Sequence, residues 1–211
     1  MTDDPHSLRG EYLDKITTFL LVNMLWAVFA ALVITLPAAT AGLFATLTPW
    51  VHGKPSEPFR DFFGGMRDHW RKSTVIGLLD AGIAGLVVLD LTILDSMKTT
   101  TLPALFSRNV AFLVAALTLL TNLYLWPLLV TVDLPLRTLI RISIKLVYLH
   151  PAWSIVASGL MVVPLLLALV LPRFVGVLLT FSSCALLASW GAWHVIEQHK
   201  HDLLDDSRIH K

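Results

Sequence analysis

The chain has 211 residues, of which 55% are apolar and 15% charged, whereas soluble domains carry about 25% charge. With a mean hydropathy of +0.71 it has too few polar residues to coat a water-soluble fold. Sixteen Lys+Arg against fifteen Asp+Glu exclude a strongly basic nucleic-acid binder, and one cysteine excludes an internal disulfide or a thiolate metal cluster.

About 20 apolar residues cross a hydrocarbon layer of roughly 30 Å. Backbone in lipid must hydrogen-bond to itself, so each such stretch is a helix. The sequence therefore predicts an all-α integral membrane protein, a five-helix transmembrane bundle with amphipathic helices on its cytoplasmic side.

Residues 1–15 form a polar leading segment, and the first span covers 16–36. Ala39-Thr40-Ala41 resembles a signal cleavage site. The apolar run exceeds the roughly 7–15 residues of a signal, however, and Asp3, Asp4, Glu11 and Asp14 precede it, so the span is expected to be retained. Pro37 should end this helix. Residues 38–51 are apolar but too short to span, which predicts a dipping or interfacial helix closed by Gly53, Pro55 and Pro58.

From 59 to 72 the pattern changes. Phe59, Phe62, Phe63, Met66 and Trp70 recur at i, i+3, i+4, i+7 and i+11, one face of a helix. Arg60, Arg67 and Arg71 lie beside that stripe, as in a helix lying in the membrane surface with its arginines near lipid phosphates. Gly64-Gly65 should weaken it by roughly 1 kcal/mol per glycine. Two readings stand: a cap on the bundle, or a docking surface for a cytoplasmic partner, since aromatics and Arg dominate interface hot spots.

The second span covers 73–94 and the third 109–132. An amphipathic helix follows at 136–148, where Arg137, Arg141 and Lys145 at i, i+4 and i+8 oppose Leu139, Ile142 and Leu146. That stripe suits anionic lipid, at roughly 1 kcal/mol per charge, or a protein partner. Spans 152–171 and 174–193 form a tight hairpin around Pro172-Arg173, with a tail at 194–211. Pro127 and Pro164 should kink their helices.

Alternate connections of a five-span chain collect eleven basic residues on one side and five on the other. The positive-inside rule then places the N-terminus outside and the C-terminus in the cytoplasm of a bacterial inner membrane. Trp50, Trp70, Tyr148, Trp153, Trp190 and Trp193 border the richer side, where headgroups favour Trp and Tyr.

Asp80 falls within the second span, where a carboxylate costs roughly 2.5–3.5 kcal/mol to insert. It is expected to hydrogen-bond Asn23, Thr121 or Asn122, either as a structural contact or as part of an ion- or proton-coupled step. Asp90, nearer the outer end, reads as a local anchor. His194, Glu197, His201 and Asp205 would share one helical face, but an exposed juxtamembrane tail is the plainer reading than a zinc site. No phosphate-binding, zinc-protease or serine-hydrolase motif occurs. No cofactor and no catalytic set are expected, and Cys184 reads as a structural thiol.

Several stretches together resemble the YesL-like family of small bacterial membrane proteins of unknown function. They are Leu36-Pro37-Ala38-Ala39-Thr40-Ala41-Gly42-Leu43-Phe44-Ala45, the run Phe59…Phe62-Phe63…Trp70, Leu89-Asp90-Leu91, Tyr124-Leu125-Trp126-Pro127-Leu128-Leu129, and Pro135…His150-Pro151. The resemblance covers about residues 12–195. It implies a five-span inner-membrane protein, with carbohydrate uptake or polysaccharide degradation as its setting, and transfers no functional residues.

The expected function is a non-enzymatic accessory or scaffold subunit, possible carbohydrate-transport accessory included. Its lipid and partner surface would comprise Phe59, Phe62, Phe63, Arg67, Trp70, Arg71, Arg137, Arg141 and Lys145. Its partners would be the lipid bilayer and a membrane transporter or cytoplasmic protein, with no nucleic acid and homo-oligomers allowed. The alternative is a small oligomeric transporter or channel subunit using the intramembrane polar set Asp80, Asn23 and Asn122.

Overall fold

The structure, a computed structural model, describes residues 5–51, 53, 57–97, 101–170 and 172–198. Eight α-helices follow one another among these residues: α1 (Pro5–Ala31), α2 (Leu36–Val51), α3 (Pro58–Met97), α4 (Leu102–Thr131), α5 (Leu136–Leu149), α6 (Pro151–Leu160), α7 (Val162–Val170) and α8 (Arg173–Gln198). Four stretches are long and apolar enough to cross a membrane: Val33–Val51, Pro58–Ser96, Leu102–Thr131 and Pro151–Val170. The last comprises α6 and α7. They break at Met161, three residues before Pro164, whose missing N–H leaves the Leu160 carbonyl without its helical donor. Lys15–Ala31 is apolar but shorter.

The first departure from expectation is at Pro37. The opening helix does not run to residue 36. It ends at Ala31, Leu32 is extended, a single 3-10 turn covers Val33–Thr35, and Leu36-Pro37 opens α2. Proline suits a first helical turn, where its absent N–H leaves nothing unsatisfied. Residues 38–51 are therefore not a short interfacial piece. They belong to the most buried of the four candidate spans. Ala38, Ala39, Ala41, Gly42, Thr46 and Thr48 are all buried there. Small residues allow close helix approach where lipid supplies no hydrophobic drive, and α2 packs against α1, α3, α4 and α8.

A second departure follows. The Trp26 indole donates to Thr40 Oγ1 at 3.3 Å, and the Phe19 and Trp50 rings lie 6.2 Å apart, so α1 and α2 are antiparallel. Trp26 also stacks on Phe181 at 4.4 Å, while Thr48 bonds Ser189 at 3.0 Å. Hence α1 is antiparallel to α8 as well, and the start of α1 lies at the same end of the bundle as the end of α8. The five-span count puts residues 1–15 at the opposite end. The count differs because a proline closing the first helix leaves the apolar residues 38–51 too short to span, whereas Leu36-Pro37 opens α2.

The third concerns 59–72, expected as a helix separate from the span at 73–94. Both lie in the uninterrupted 40-residue α3. At 1.5 Å per residue it is about 60 Å long, twice the hydrocarbon thickness. Where the break was expected, the Ser73 and Thr74 hydroxyls both donate to the Trp70 carbonyl, at 3.1 and 2.6 Å. Such back-bonding bends helices without ending them.

Elsewhere pattern and structure agree. α5 buries Leu139, Ile142 and Leu146 and exposes Arg137, Arg141 and Lys145. The Tyr124 hydroxyl meets Ser154 at 2.8 Å, and the Trp153 indole donates to the Gly191 carbonyl at 2.9 Å, joining α4, α6 and α8 at one end.

Candidate functional site

Asp80 and Asn122 meet on the facing sides of α3 and α4, Asn122 Nδ2 donating to Asp80 Oδ1 at 2.9 Å. Beside them a cavity of about 390 Å³ lies between α3, α4 and α5, walled mainly by aliphatic side chains. No cation approaches Asp80 among the described residues, and Asn122 Oδ1 is buried without a partner. Asn23, grouped with these two from sequence, is elsewhere: its Nδ2 donates to the Phe19 carbonyl of its own helix at 2.7 Å. Thr121 lines the cavity but donates to Leu117 of α4.

Ten residues along α3, Asp90 accepts from Ser107 Oγ at 2.9 and 3.2 Å. It thereby ties α3 to α4 near the other end of their hairpin. A smaller cavity there shares Ile83 and Val114 with the first, so the α3–α4 seam has a carboxylate in each of two neighbouring hollows.

The aromatic stripe divides. Phe59, Phe63 and Trp70 are exposed, Arg67 and Arg71 beside them are exposed too, and the Arg71 guanidinium sits 5.3 Å over the Trp70 ring. Phe62, expected on the same outer surface, is fully buried. It faces Gly42 of α2 and touches Phe29 of α1 at 6.1 Å between centroids. Five aromatic and apolar side chains at helical spacing cannot all face one environment when two partner helices cover part of the arc.

On α5, Arg137, Arg141 and Lys145 form no ion pair among the described residues. The α5 surface is tied to α3 by Lys72, whose Nζ reaches Asp133 Oδ1 at 2.7 Å and the Leu134 carbonyl at 3.0 Å. The lysine's hydrogen bond and charge hold the Asp133 carboxyl below the usual carboxylate range. Sequence reading missed this clip, although an acid directly after a span, followed by Pro135, was a signal for it. The proposed zinc face lies outside the described residues at His201 and Asp205, and with it the side chains of His194 and Glu197. Among the described residues no three His, Cys, Asp or Glu side chains could together hold a metal ion.

Residues 19–91 match a family described as "Protein of unknown function, DUF624". The chain is also 28% identical over 145 residues to "Uncharacterized protein YesL" of Bacillus subtilis (strain 168), an alignment taking in 65% of this chain and 66% of that one. Over these residues the chain is similar to the DUF624 family and distantly similar to YesL. The chain spans just under two thirds of that relative's length. No solved structure matches it significantly. The family match takes in the second half of α1, all of α2 and most of α3, so Asp80 and the aromatic stripe fall inside it while Asn122 and the α5 cations lie beyond.

Proposed function

We propose that this chain is a non-enzymatic, multi-pass accessory or scaffold subunit of a bacterial inner membrane, working within carbohydrate uptake and engaging lipid phosphates and a protein partner at its cytoplasmic end. The observation that carries this reading is the exposed strip of Phe59, Phe63, Arg67, Trp70 and Arg71 on α3, which Lys72 clips to the connection leading into α5, whose three cations are also exposed. Rings and guanidinium groups left outside a packed helix pair are the side chains that dominate binding hot spots.

In this reading residues 1–15 lie on the same side as the α8 end. Moving Arg9 and Lys15 across leaves Lys98, Arg108 and Arg173 alone on the far side. Thirteen of the sixteen basic residues then face the cytoplasm, a sharper bias than the five-span count gives.

The test is affinity isolation from native membranes of the parent and of a Phe59→Ser, Phe63→Ser, Trp70→Gln triple variant. Phe62 stays, because it is buried. The variant should insert normally and lose its partner by roughly 30-fold or more, the loss of at least one hot spot. Undiminished co-isolation would count against the accessory reading. A small oligomeric transporter is the second reading, favoured by the cavity at Asp80 and Asn122. The two differ in whether the chain moves any solute.

A further inference from the structure

The cavity between α3, α4 and α5 has an unusual imbalance of polar groups. Its walls are mostly aliphatic, and its polar groups are Asp80, Asn122, Thr118 and Thr121 on α3 and α4, with Tyr148 of α5 on the far wall. The two threonine hydroxyls already give their protons to the Val114 and Leu117 carbonyls of α4, at 2.9 and 2.7 Å. One Asn122 amide hydrogen is given to Asp80, and Asn122 Oδ1 is buried without a donor. The acceptor left open to the cavity is the Asp80 carboxylate, and no described residue supplies it with a cation.

Such a site discriminates by charge and by hydrogen-bond sense. A carboxylate ligand meets repulsion from Asp80. A sugar brings many hydroxyl groups for which the polar groups of the lining are too few partners, and aliphatic walls would strip their water without replacing it. An alcohol gives the carboxylate one hydrogen bond but brings no positive charge to balance it. An ammonium group supplies up to three donors and a positive charge, and an attached apolar body fills the aliphatic volume.

From this complementarity we propose that the cavity binds a primary amine carried on an apolar body, the ammonium resting on the Asp80 carboxylate. The amine belongs to the headgroup of an aminophospholipid or to a free hydrophobic amine. Binding here is independent of the partner surface and does not require the ligand to be carried across.

The experiment uses the full chain in phosphatidylcholine nanodiscs with radiolabelled octylamine, displaced by unlabelled octylamine, octanol or octanoate. Saturable binding displaced by octylamine and at least about tenfold less well by the other two is expected, since only the amine brings a charge opposite to that of Asp80. Asp80→Asn should weaken binding roughly tenfold or more, as truncating a buried charged pair does, while Asp90→Asn keeps it. Leu117→Trp, which fills the cavity and leaves Asp80 in place, should abolish it and decides the matter if Asp80→Asn does not fold. Adding phosphatidylethanolamine to the discs assigns the source: competition supports the headgroup, and no competition supports a free amine. The proposal is overturned by absent saturable binding, by octanol displacing equally well, or by parent-like binding in Leu117→Trp.

Discussion

The two halves of α3 are one continuous helix built on opposite plans. From Pro58 to Gly77 most charged residues face outward, beside the exposed rings of Phe59, Phe63 and Trp70, and Phe62, Gly65 and Ile76 turn inward. From Leu78 to Met97 the order inverts: Leu78, Leu86, Val88 and Leu89 are exposed, while Asp80 and Asp90 turn towards α4 and find Asn122 and Ser107. A single solvent cannot favour both arrangements. Water rewards the first and hydrocarbon the second, where polar groups must be satisfied within the protein. The changeover falls near Lys72, whose bond to Asp133 is the last ion pair before an apolar exterior begins. α3 thus records the membrane boundary in its own burial pattern.

The largest effect expected from this contrast is all-or-none. In a Cys184→Ser background, a cysteine replacing Arg67 should react with an impermeant thiol reagent only from the cytoplasmic side. One replacing Asp95, also exposed, should react only from the outside. Labelling of both from one side would mean that α3 does not cross, and the inversion would need another cause.

How much of this was legible follows from the same physics. The second half of α3, α4 and the α6–α7 limb face lipid, so their apolar runs stood out. The α5 helix was legible because its cations and its aliphatic residues alternate at helical period. The pairing of Asp80 with Asn122 was one of three expected from depth alone, and geometry chose among them. α2 was misjudged because a proline ending the first helix leaves 38–51 apolar but too short, while in the structure Pro37 sits in the first turn of α2. Missing α2 moved residues 1–15 to the wrong end. Periodicity likewise could not separate Phe62 from Phe63, since adjacent residues 100° apart are divided only by where the neighbouring helices stand.

That division predicts a smaller, graded contrast. Phe62 is 0% exposed and Phe63 42% exposed. Phe62→Ala should cost about 3–5 kcal/mol, the loss expected for a buried aromatic. Phe63→Ala should cost well below that, because its ring already meets the surroundings over much of its area. Thermal unfolding of both in one detergent measures the difference. Equal losses would show that the outward surface of the stripe is covered, and the partner surface would have to be redrawn.

The finest contrast lies between the two adjacent glycines, which sequence alone treats alike. A Cβ on Gly64 would meet nothing within 4 Å. There alanine should stabilise the helix by up to about 1 kcal/mol through propensity. A Cβ on Gly65 would collide with the Ala45 methyl and stand 3.3 Å from the Ala41 carbonyl oxygen, and one on Gly42 would lie 2.6 Å from the Phe62 carbonyl oxygen. The α2 and α3 backbones therefore touch through glycines on both sides, and neither helix can retreat without disturbing α1, α4 or α8, which also hold α2. Gly65→Val should accordingly cost about 1–3 kcal/mol, the penalty of overpacking. Gly65→Ala should be partly rescued by Ala45→Gly, because residues in direct contact couple in a double-mutant cycle whereas distant ones add. Simple additivity of that pair would separate the two helices at this point and leave α2 without its central place.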